Sequence, residues 1–117
     1  MDGNVLVFEP DLLFSSKVES AAAKFGLQAK VTVTVEELQS VMRESVPKAV
    51  FVNLDALPSA GPSSVGLVRG GCVVIGYYSH VDSGLAARAL ASGFERVMPR
   101  RIFVGKLNEI FAELNSS

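Results

Sequence analysis

Apolar residues in this chain gather into five short runs, and between the runs they return at a spacing near every fourth residue. The five strand candidates start at Asn4, Ala29, Ala49, Cys72 and Glu95, the last of them short and opened by two charged residues. Short apolar runs predict strands, and the wider spacing predicts amphipathic helices. Strict alternation of the two leaves few folds open. It calls for a parallel sheet with right-handed crossovers and helices on both faces. Residues 49–52 have no polar face, so this strand is expected to be buried on both sides. Asn53 and Asp55 follow it, an amide and then a carboxylate. Positions two apart in a strand share a face. Open sheets of this class place their sites beyond the carboxyl ends of the strands.

Taken in order, residues 4–8 form a strand ending at Glu9. Asp11 is placed to cap a helix carrying Leu12, Leu13, Phe14, Val18, Ala21, Ala22 and Phe25, with Gly26 as its stop. Residues 29–35 alternate, as an edge strand would. Thr34 caps a helix with Val35, Leu38, Val41 and Met42 inward, and Glu36 and Glu37 in its first turn suit the dipole. Pro58, Gly61, Pro62, Gly70 and Gly71 punctuate the next stretch. The third helix is therefore expected to be short or missing, at most two turns over residues 63–69. Asp82 caps a helix with Leu85, Ala86, Ala89 and Leu90 inward, stopped by Gly93. Residues 95–98 make a short last strand. One closing helix presents Phe103, Leu107, Ile110, Phe111 and Leu114, and residues 115–117 should fray. The expected fold is a flavodoxin-like three-layer sandwich, one domain over residues 1–117, with a five-stranded parallel sheet in the order 2-1-3-4-5. That order brings the tips after Glu9 and Asn53 to one crevice.

Composition narrows the function classes. Eleven Lys and Arg against twelve Asp and Glu give a net charge of -1, which offers no case for nucleic acid or an anionic membrane. No run is long enough to span a bilayer, and no basic stretch opens the chain, so neither a membrane span nor a signal peptide is expected. The single cysteine, Cys72, cannot form an internal disulfide, which fits a reducing cytoplasm. Cys72 is expected to be an inert core residue. His80, the only histidine, is expected on a surface loop, and no metal site is expected from it.

Glu9, Asp11, Asn53, Asp55, Tyr78, Ser79 and Arg100 all fall just past strand ends. With the order of elements and the helix-stop glycines, they make the chain resemble the receiver domain of bacterial two-component response regulators. The resemblance runs over the whole chain, without a long identical motif. In that family two acids after the first strand hold magnesium, and an aspartate after the third takes a phosphoryl group. A Ser or Thr after the fourth strand and a Lys after the fifth touch that group. Carried across, the first acid falls on Glu9, the second on Pro10 and the acceptor on Asn53. The hydroxyl falls on Tyr78, with Ser79 beside it. The lysine falls on Arg100, and the usual following proline on Arg101. The resemblance thus implies a pseudo-receiver, without aspartyl phosphorylation. It would be a non-enzymatic, stand-alone signalling module acting through protein contacts. An alternative reads the third strand two residues later, with Asp55 as the acceptor and Asp11 for the missing acid.

Plainer roles are weighed beside these. Asn53 suits a loop cap, Asp55 a turn, Asp11 a helix cap, and Glu9 an ion pair with Arg100. One of Tyr77 and Tyr78 should face outward, and Tyr77, Arg96 and Arg101 are candidates for a partner face. The resemblance implies such a face, with a weak homodimer through the last strand and the last two helices. A flavodoxin-like cofactor domain is the competing class. The loop of Glu9, Pro10 and Asp11 is too acidic for a flavin phosphate, no Gly-x-Gly-x-x-Gly follows a strand, and Asp55 lacks the histidine a cobalamin site wants. No cofactor is expected.

Overall fold

Parity along the strands organises this molecule. The computed structural model describes residues 5–66, 72–80 and 84–115. Strands β1 (Val5–Phe8), β2 (Ala29–Thr32), β3 (Ala49–Asn53), β4 (Val73–Tyr78) and β5 (Arg96–Pro99) pair in parallel in the order β2-β1-β3-β4-β5. The expected flavodoxin-like architecture is thus found. Odd-numbered residues of the three central strands, Val5, Val7, Ala49, Phe51, Ile75 and Tyr77, face one core. Even-numbered ones, Leu6, Phe8, Val50, Val52 and Val74, face the other. The register pairs Phe8 with Val52 and Asn53 with Tyr77, which brings the strand tips level.

Five α-helices cover the described sheet. Helix α1 (Leu12–Lys24) packs Phe14, Val18, Ala21 and Ala22 on the odd face. Its cap is Asp11, whose Oδ1 accepts from the amides of Leu13 at 3.0 Å and Phe14 at 3.3 Å. The stop at Gly26 needs a left-handed backbone, φ 72°, which glycine adopts without strain. Helix α2 (Val35–Glu44) lies on the even face, capped by Thr34. Glu37 Oε1 reaches back to accept from the Val33 amide at 2.9 Å. Helix α3 spans Leu85–Ala91, and the expected cap at Asp82 lies outside the described residues.

One expectation changes, that of a single closing helix, while the third helix is missing among the described residues, as expected. The closing helix is two helices, α4 (Arg100–Gly105) and α5 (Leu107–Asn115), broken at Lys106. Gly105, the last residue of α4, has low helix propensity, and α5 beyond the break buries Leu107, Ile110, Phe111 and Leu114. Between β3 and β4 the described residues form two 3₁₀ turns, Leu54–Ala56 and Gly61–Val65, and no α-helix. Pro62, buried in the second turn, cannot donate a backbone hydrogen bond there. Residues 67–69 of the expected short helix lie outside the described residues. Gly76 marks the tightest spot on the even face: a Cβ there would sit 2.9 Å from Leu54 and 3.0 Å from Phe94. No helix among the described residues is long and apolar enough to cross a membrane.

Candidate crevice at the strand tips

Glu9 continues the odd face one step past β1, so its carboxylate sits on top of the odd core. It is 1% exposed. A buried carboxylate needs donors, and three supply them. Tyr77 Oη donates to Oε1 at 2.6 Å. Asn53 Nδ2 donates to both oxygens, at 3.1 and 3.0 Å. The Asp11 amide donates to Oε2 at 3.0 Å. Asn53 is used at both ends, since its Oδ1 also accepts from the Asp55 amide at 2.9 Å and caps the 3₁₀ turn. Tyr77 is 0% exposed and stacked on Phe103, with ring centroids 4.5 Å apart and planes 10° from parallel. Burial, and then its bond to Glu9, push the Tyr77 phenol far above its ordinary range, so it stays a donor.

The second half of the crevice belongs to Asp55. Its Oδ2 accepts from the amides of Ser79 at 2.6 Å and His80 at 3.4 Å, tying the loop after β3 to the loop after β4. His80 Nδ1 lies 3.4 Å from the same oxygen, and its side chain is 86% exposed. Glu9, Pro10, Asp11, Asn53, Asp55, Ala56, Ser79, His80 and Arg100 line a crevice of about 320 Å³.

Several expectations resolve differently. Arg100 does not pair with Glu9. Its guanidinium lies 3.6 Å from Asp11 Oδ2 and 3.9 Å above the centre of the Phe14 ring. Asp11 is exposed and Glu9 is already satisfied, so the cation takes the wetter partner. Tyr77, a candidate for a partner face, is instead in the core. The residue with the outward parity, Tyr78, is half-buried against the even core, away from Glu9. Tyr77, rather than Tyr78, therefore brings a hydroxyl to Glu9, beneath the crevice that Ser79 lines. The signal was parity: Tyr77 pairs with Asn53, so the two share a face. Arg96 holds Glu113 of α5 at 2.9 Å, and Arg101 is exposed. Cys72 is half-buried just before β4, where burial and the nearby Glu95 raise its thiol, leaving little reactive thiolate. Among the described residues no cluster of three or more His, Cys, Asp or Glu could hold a metal ion.

The Tyr77 hydroxyl can be tested alone. Tyr77→Phe keeps the stacked ring and leaves Oε1 of a buried carboxylate without its shortest bond. It should cost about 1–3 kcal/mol, lowering Tm by roughly 4–12 °C, measured by thermal melts at neutral pH. An unchanged Tm would mean that water replaces the hydroxyl freely.

No protein-family model matches the sequence, and no curated protein matches it either. Solved structures do match the fold. A response regulator from Thermotoga maritima superposes with a TM-score of 0.80 at 18% identity, covering 100% of both chains. A response regulator receiver protein from Burkholderia phymatum gives 0.75 at 19% identity, over 96% of this chain and 94% of that one. The beryllofluoride-activated NtrC4 receiver domain, solved as a dimer, gives 0.73 at 16% identity, over 94% and 97%. At these identities the likeness is one of fold.

Proposed function

We propose that this chain is a receiver-like signalling module that acts through protein contacts and is not phosphorylated on aspartate. The observation that carries the reading is the amide of Asn53. It stands at the tip of β3, with its Nδ2 engaged by both oxygens of Glu9. A carboxylate attacks a phosphoryl donor, and an amide nitrogen is no comparable nucleophile. The donor set does not fit a divalent ion. Pro10 has no ligand atom on its side chain, and Glu9 already accepts from three protein donors. The shared fold with solved receivers supports the signalling class. We assign the module no catalytic role and place it in the cytoplasm, on the evidence of its lone cysteine. Partner contacts, including a weak homodimer, would use β5 with α3, α4 and α5. Leu90 on α3, expected to face inward, is instead 52% exposed there, Ile102 on α4 is 40% exposed, and Arg96 lies on β5.

One experiment tests the chemistry and the contacts together. The protein is incubated with acetyl phosphate and magnesium, then measured by intact mass and by sedimentation at high concentration. The expected result is an unchanged mass, and a weak dimer that is the same with and without acetyl phosphate. An adduct of about 80 Da at Asp55 would overturn the reading in favour of Asp55 as acceptor. Monomer alone at every concentration would remove the homodimer.

A further inference from the structure

Beside the crevice lies a groove of about 410 Å³ lined by Phe14, Lys17, Ser79, Arg100, Arg101 and Val104. Three of these residues are cations and none is an acid. Arg100 is shared with Asp11 at 3.6 Å. Lys17 and Arg101 have no carboxylate partner among the described residues. The whole chain carries a net charge of -1, so three cations and no acid lining one groove depart from its average. The positive surplus is therefore local.

The helix itself does not favour it. Arg100 and Arg101 open α4, the end of a helix where positive charge is disfavoured. The Arg100 guanidinium carbon lies 3.9 Å from the centre of the Phe14 ring, a cation–π contact that holds the charge at the groove. Val104 is 37% exposed and gives the groove an apolar wall.

We propose that this groove binds an acidic segment of a protein partner, with carboxylates on Lys17 and Arg101 and an apolar side chain against Val104. A long polyanion such as a nucleic acid fits less well, because the net negative charge of the chain repels it away from this one patch. The inference stands apart from the loss of phosphorylation, since none of its cations contacts Asn53 or Glu9.

The test uses the full chain, labelled with nitrogen-15, and a synthetic peptide of repeating Glu-Glu-Leu. A Lys-Lys-Leu peptide and inorganic tripolyphosphate serve as comparisons. At about 0.01 M salt, where screening reaches only beyond about 30 Å, the acidic peptide should shift amide signals of Lys17, Ser79, Arg101 and Val104. Lys17→Glu with Arg101→Glu should weaken binding at least tenfold, and Val104→Asp severalfold. Both sites are exposed, and melts of each variant confirm folding. Peptide binding unaffected by the double variant, or shifts centred elsewhere, would overturn the proposal. Equal response to tripolyphosphate and to the peptide, with no effect of Val104→Asp, would also overturn it, by showing a bare anion site.

Discussion

Asn53→Asp should destabilise the folded chain by about 3–5 kcal/mol at neutral pH, because it turns a donor into a second carboxylate against a buried one. The atoms now bonded lie 3.0 and 3.1 Å apart, so two negative oxygens would meet at hydrogen-bond distance. Like charge raises the pKa of the new acid in the folded state above its unfolded value of about 4. The folded state then holds more protons than the unfolded state between those two values, so stability falls as pH rises through that window. The penalty relative to wild type should shrink toward about pH 4 and reach its full size at neutral pH. Melts across this range measure it, and a flat difference would mean that position 53 has turned away from Glu9. Adding Pro10→Asp and Tyr77→Phe gathers three carboxylates and removes the hydroxyl competing for Glu9. This triple variant should regain stability in millimolar magnesium, by about 2.7 kcal/mol at a hundredfold excess over its Kd, whereas wild type should not respond. If no variant responds to magnesium, these tips do not converge as the structure has them.

Phe103→Ala should cost about 3–5 kcal/mol. Phe103 is the only buried residue described in α4 and is 0% exposed. It stacks on Tyr77 and meets Phe51 edge-on, with centroids 5.2 Å apart and planes at 78°. Its removal leaves a cavity between α4 and the sheet and frees α4, with Arg100 and Arg101 upon it. Urea titration gives the stability, and near-ultraviolet dichroism reports the loosened Tyr77, since the chain has no tryptophan. A loss below about 1 kcal/mol would mean that α5 slides in to fill the gap.

The fold could be read in the sequence because each element carries its own period and its own stops. Asp11, Thr34 and Gly26 act where their chemistry places them, and residues 49–52 are buried throughout, as a run without a polar face must be. The split at Lys106 was hidden because Phe103 through Leu114 keep a helical spacing across it. In the site, Glu9 and Asn53 were legible as strand tips. The tyrosine was not. A strand buried on both faces has no polar side to label its parity, so Tyr77 and Tyr78 look alike until the register with Asn53 is known. The partner of Arg100 was hidden for a similar reason. Glu9 and Asp11 are two residues apart, and only burial tells which has a free lone pair.

The parity of the central strands also divides what can change from what cannot. Leu6, Phe8, Val50, Val52 and Val74 never meet Glu9, Asn53 or Tyr77, because the sheet stands between them. Substitutions on opposite sides of such a wall share no partners and combine nearly additively. The even face can therefore drift, trading one aliphatic residue for another against α2 and α3, without touching the bonds of Glu9. The odd face has no such freedom: its aromatic stack ends in the hydroxyl that holds Glu9, so a change of packing at Phe51 or Phe103 is felt at the crevice as well.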